Sequence, residues 1–149
     1  MGPAEAVHAT CVVIDGAGVL IRGPSGAGKS DLALRALDAC ASAALVADDL
    51  VLLSRSDDTV RACAPEAIFG RMEVRGLGIV TLPEAQLVAS SRIALIVDAC
   101  RPDKMTRLPT SAALRADLLG CSIARITFDL HAASAVARIQ IALRHFGTT

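Results

Sequence analysis

The sequence predicts a strand-rich α/β fold containing a phosphate-binding loop. Three observations carry that expectation. Gly23-Pro24-Ser25-Gly26-Ala27-Gly28-Lys29-Ser30 reads G-x-x-x-x-G-K-S. The apolar run Val19-Leu20-Ile21 stands before it, and an Ala/Leu-rich helical stretch, residues 31–40, stands after it. The remaining chain is rich in short β-branched and apolar runs, with few helical patterns.

Each part of the loop has its own reason. Glycines permit φ > 0 and let backbone approach a phosphate. Successive N–H groups can then form an anion-binding concavity, to which the helix start adds unpaired donors and a positive dipole end. Lys29 is spaced to reach the β- and γ-phosphates, and the Ser30 hydroxyl to hold Mg²⁺.

In chain order, residues 8–14 read as a strand, and Asp15-Gly16 as a tight turn. Residues 17–21 return as its partner and deliver the chain into the loop. The helix is expected to end near residues 40–42. Residues 44–47 form a short buried strand ending in Asp48-Asp49. Residues 50–53 and 59–63 suggest a hairpin turning at Ser56-Asp57-Asp58. Residues 71–78 mix charge and glycine and lead into 79–82. Residues 92–97 are the clearest strand of the second half. Residues 99–110 are a polar loop, and residues 111–121 leave helix and irregular structure open. Residues 122–130 read as a strand and residues 132–146 as a closing amphipathic helix.

Composition excludes several classes. The chain has 149 residues, a size expected for one domain. Basic and acidic residues balance at 15 each, with no basic stripe interleaved with aromatics, so nucleic acid is not an expected partner. The 5 cysteines form no C-x-x-C pair and read as buried apolar side chains in a reduced cytosol. No uncharged run approaches the roughly 20 residues of a membrane helix, and residues 1–10 lack a signal-peptide pattern. A soluble, cytoplasmic protein is expected.

Three later stretches could supply chemistry to a bound phosphate. Asp48-Asp49 at a strand end could orient a metal and accept a proton. Glu73 lies between Arg71 and Arg75, a carboxylate suited to a hard cation flanked by guanidinium forks suited to phosphate. The loop bearing Arg101, Lys104 and Arg107 could bring an arginine to developing charge. His8 could relay a proton beside a carboxylate.

Together these stretches resemble the catalytic domain of bacterial HPr kinase/phosphorylase. Val46-Ala47-Asp48-Asp49 matches that family's V-A-D-D, and residues 72–79 (M-E-V-R-G-L-G-I) resemble its signature L-E-I-R-G-L-G-I. His8 takes the place of its histidine ahead of the loop, and Arg107-Leu108 resembles its D-R-L arginine. The resemblance implies a fold like that of phosphoenolpyruvate carboxykinase. It implies ATP, or pyrophosphate, as phosphoryl donor, an HPr-like phosphocarrier as acceptor, and a homohexamer. Asp49 would be the base, Lys29 would bind phosphates, and Ser30 and Glu73 would hold Mg²⁺ with Asp48 assisting. His8 would sit beside the reacting groups and Arg107 would contact the transferring phosphate.

The chain departs from the family in two ways. The match begins at His8, so residues 1–149 are expected to form a single catalytic domain without the family's amino-terminal domain. That resembles short proteobacterial forms, whose substrate would be a nitrogen-branch HPr-like carrier. The family's P-V-R-x-G-R-N segment is replaced by Leu130-His131-Ala132-Ala133-Ser134-Ala135, which favours kinase over phosphorylase activity. Two other readings stay open: a P-loop small-molecule kinase, and a non-catalytic nucleotide-dependent sensor.

Overall fold

A computed structural model describes residues 3–147. The chain begins with β1 (Glu5–Val7), β2 (Thr10–Ile14) and β3 (Ala17–Arg22). Helix α1 (Lys29–Ala39) precedes β4 (Ala44–Ala47), β5 (Val51–Ser56) and β6 (Thr59–Cys63). The hairpin β7 (Arg71–Val74) and β8 (Gly78–Thr81) leads to the long β9 (Ser90–Ala99). Then come β10 (Arg115–Leu118), β11 (Cys121–Phe128) and α2 (Ala135–Phe146).

The main sheet runs β1-β5-β6-β9-β3-β2-β4, with β11 on β9 and β10 on β11. Strand β9 joins two parts of it. Its first residues, Ser90–Arg92, pair antiparallel with β6. Its later residues pair parallel with β3 on one side and β11 on the other. Hence β9 extends beyond the apolar run 92–97 that marks it in the sequence.

Strands β2, β3 and β9 are buried on both faces, which explains their nearly continuous apolar sequence. Val12, Ile14, Val19, Ile21, Leu95 and Val97 face α1 and α2, meeting Leu32, Ala36, Ile139 and Leu143. Cys11, Leu20 and Ile96 face the other way, toward Val51, Leu53, Val60 and Ile123. With no Trp or Tyr, both layers are filled mainly by Ala, Val, Leu and Ile, with Met72, Phe128 and buried cysteines among them.

Differences from the expected elements have local causes. The strand expected from residue 8 starts at Thr10, because His8 lies in a bend after β1. Strand β1 is short and mostly exposed, and exists through its pairing with β5. Residues 115–118, left open in the sequence, become a strand because a turn at Leu119-Gly120 folds them onto β11. Helix α1 stops at Ala39, with the Cys40 N–H donating to the Ala36 carbonyl. Among the described residues no helix is long and apolar enough to cross a membrane.

Candidate active site

The Gly23–Ser30 loop joins the carboxyl end of β3 to the first turn of α1. Gly26 and Gly28 take φ values of 85° and 100°, which L side chains rarely adopt. Gly28 caps α1 without any side-chain hydrogen bond, so the first N–H groups of the helix stay open to an anion. Gly23 is needed for a second reason: a Cβ there would stand 2.7 Å from the Ala99 Cβ. Lys29 arches back over the loop, its Nζ donating to the Gly23 and Pro24 carbonyls at 2.7 and 3.1 Å.

Beneath the loop, Arg22 and Asp98 form a two-bond ion pair across parallel β3 and β9, at 2.7 and 2.8 Å. Hydrogen bonding to Asp98 raises the Arg22 pKa further, against the opposing effect of burial. Arg125 joins Asp98 from β11 at 3.3 Å and donates to the Ala113 carbonyl at 3.2 Å. The base of the 99–113 loop is thereby tied to the strand that delivers the Gly23–Ser30 loop.

Asp48 directly follows β4 in the interior, 6% exposed, and accepts from three elements. Thr10 Oγ1 and Ser30 Oγ donate to its Oδ1 at 2.9 and 2.6 Å, and the Glu73 N–H donates to its Oδ2 at 3.2 Å. One carboxylate therefore holds the end of the loop, the start of β2 and the β7–β8 hairpin together. Asp49 turns outward. Its φ is 70°, and the Leu50 N–H donates to the Asp48 carbonyl at 2.8 Å, closing a tight γ-type turn around it. The Ala9 N–H donates to the Asp49 carbonyl at 3.3 Å, which draws the His8 bend alongside. Surrounding contacts thus hold a strained, exposed carboxylate in place, an arrangement that clusters at functional sites.

These elements enclose a cavity of about 650 Å³. Most of the loop lines it, together with His8, Asp49, Glu73 and Arg75. Ala27 and Asp48 support the lining from behind. Arg107 is exposed on the 99–113 loop and is not among the lining residues, so the structure does not bring it to the other candidates. His131, which carried no catalytic expectation, does line the cavity: a Cβ on Gly28 would stand 2.7 Å from its Cε1. Only proximity in the fold reveals it, because residues 31–130 separate it from the loop.

No group of three or more His, Cys, Asp or Glu residues forms a ready metal cage among the described residues. The oxygen set of Ser30, Asp48 and Glu73 instead suits a hard cation that keeps its waters and shares phosphate oxygens. Since the Ser30 hydroxyl and the Glu73 N–H both donate to Asp48, its carboxylate orients the set from behind.

The family model for the HPr serine kinase C-terminal domain matches residues 1–146. This chain belongs to that family. The HPr kinase/phosphorylase of Bordetella pertussis is 34% identical over 154 aligned residues, covering 97% of this chain and 49% of the relative. That of Bacillus subtilis is 44% identical over 101 residues, covering 65% of this chain and 32% of the relative. The chain therefore spans about a third to a half of the curated relatives it matches. The solved structure of the Hpr(Ser) kinase/phosphatase from Coxiella burnetii superposes with a TM-score of 0.81 at 27% identity, over 95% of this chain and 89% of that one. The resemblance read from V-A-D-D and M-E-V-R-G-L-G-I is thus borne out at the level of the family, as is a strand-rich mixed α/β fold.

Proposed function

We propose that this chain is the catalytic domain of a cytoplasmic protein serine kinase that uses MgATP to phosphorylate an HPr-like phosphocarrier. In this reading its Gly23–Ser30 segment is a phosphate loop within a phosphoenolpyruvate carboxykinase-like fold. In this chain of a serine kinase family, one observation carries the proposal: Lys29, Ser30, Asp49, Glu73 and His8 line a single cavity.

The nucleotide phosphates rest on the loop, against backbone N–H groups and the Lys29 ammonium. Ser30 and Glu73 would hold Mg²⁺, with Asp48 fixing Ser30. The bound ion would supply neutralisation of the phosphate charge. Asp49, exposed at the cavity, removes the proton from the carrier serine hydroxyl. The serine oxygen attacks the γ-phosphorus, the bond to the β–γ bridging oxygen breaks, and ADP leaves. A positioned base of this kind contributes about 10²- to 10⁴-fold. His8 stands beside Asp49, held there by the Ala9–Asp49 backbone bond. Arg107 belongs to a second level of the proposal: it reaches transferring phosphate only if the 99–113 loop closes, or if it acts on a neighbour within a homohexamer. In phosphorolysis an oxygen of inorganic phosphate attacks the phosphoserine phosphorus, the serine O–P bond breaks as Asp49 gives the serine oxygen its proton, and pyrophosphate leaves.

Intact mass of a purified HPr-like carrier, after incubation with this protein and MgATP, tests the proposal. One phosphate gained on a serine is expected, with magnesium pyrophosphate tried as a second donor. ATP consumed or bound with no gain on any carrier would contradict it.

A further inference from the structure

His131 stands in the cavity wall, yet nothing in the proposed chemistry uses it. Its backbone is strongly constrained. Arg35 on α1 donates to the carbonyls of both flanking residues, Leu130 and Ala132. The His131 N–H donates to Asp129 Oδ1 at 3.1 Å. Arg35 is itself fixed by Asp31, 2.9 Å away across one helical turn. Helix α1 therefore clamps residues 130–132 to its own side.

The imidazole lies over the point where the loop becomes helix. A Cβ on Gly28 would stand 2.7 Å from Cε1 and 3.2 Å from both Nδ1 and Nε2, so the ring edge carrying both nitrogens is turned to that glycine. Neither ring nitrogen has a hydrogen-bond partner among the described residues, and the ring borders the cavity. Gly28 also caps α1 without a side-chain bond, so the same spot holds open backbone donors. Phosphate oxygens seated there would meet backbone N–H groups on one side and an imidazole N–H on the other.

We infer that His131 is a phosphate-contacting residue, donating a ring N–H to an oxygen of the phosphate group that rests on Gly26–Ser30. This rests on the nucleotide reading of the cavity. It gives a specific role to a residue in the segment where the family's Gly-Arg-Asn is missing.

Equilibrium binding of MgATP and of magnesium pyrophosphate to the full chain tests it, with His131→Ala, His131→Phe, His131→Asn and Lys29→Ala. Loss of a charge-assisted hydrogen bond predicts about tenfold weaker binding of both ligands to His131→Ala. His131→Phe fills the space without a donor and should be equally weak. His131→Asn keeps a side-chain N–H and should recover most of the loss. Wild-type affinity in His131→Phe would overturn the inference, since packing alone would then suffice. A loss confined to MgATP would also overturn it, by moving the contact to the nucleoside. Should Lys29→Ala bind both ligands normally, the nucleotide reading itself fails. Should Lys29→Ala lose binding while His131→Ala does not, only the role of His131 fails.

Discussion

Ser30 Oγ stands 2.6 Å from Asp48 Oδ1, so the last residue of the Gly23–Ser30 loop is bonded to the residue directly after β4. The same carboxylate oxygen accepts from Thr10, and its partner oxygen accepts the Glu73 N–H. Removing the carboxylate leaves three donors without their acceptor. Asp48→Ala should therefore lose on the order of 3 kcal/mol of stability, whereas Thr10→Val should lose about 1 kcal/mol. Chemical denaturation of the two variants checks the ordering. Equal losses would mean that Asp48 serves Thr10 alone.

Gly28 combines φ 100° with a ring directly above its Cα. Gly28→Ala must place a methyl in the left-handed region and push His131 aside. It should be destabilised by more than about 1 kcal/mol, with weaker binding of magnesium pyrophosphate. Gly76 also has positive φ, 86°, but with open space around it. Gly76→Ala should carry the backbone cost alone and leave pyrophosphate binding unchanged. Thermal unfolding and ligand titration of both variants separate strain from collision.

The cysteines should label in an order set by burial. Cys11 is fully buried, and burial pushes its thiol from an ordinary 9.0 up to about 12. Burial also raises Cys40, with a further rise from Asp15. Cys63 and Cys100 are only partly covered. Iodoacetamide at pH 8 should modify Cys63 and Cys100 first and Cys11 only on unfolding, as mass spectrometry of peptides would show. The raised Cys11 pKa also has a stability consequence. The folded state keeps its proton where the unfolded thiol loses it, so this contribution is complete below about pH 9 and declines from there toward pH 12. Cys11→Ala should flatten that alkaline decline.

Much of this site is legible in the sequence because its signals are local. Residues 19–40 carry strand, loop and helix in one continuous pattern, and Asp48-Asp49 ends a short apolar run. The rest depends on distant partners. Strand β1 is exposed and has no apolar alternation of its own; it forms because β5 offers an edge. The charged, glycine-containing 71–78 stretch becomes a hairpin through positive φ at Gly76 and Gly78, with Met72 buried and its neighbours Arg71 and Glu73 exposed. His131 reaches the loop only because Arg35 grips residues 130 and 132 from another helix. Arg107 shows the reverse case. Its motif is recognisable, but the intervening fold leaves it exposed on a loop tied at its base through Ala113 and at Met105 by Arg138.

Asp49 bears the central claim. It sits at φ 70°, a conformation that asparagine tolerates better than most residues, so Asp49→Asn removes the proposed base with little change to the backbone. The most direct measurement follows phosphate transfer to an HPr-like carrier by intact mass, with MgATP affinity measured on the same protein. Transfer should fall by about 10²- to 10⁴-fold in Asp49→Asn while MgATP binds as before. Transfer at the wild-type rate, or MgATP affinity lost in parallel with transfer, would contradict the assignment of Asp49 as the base.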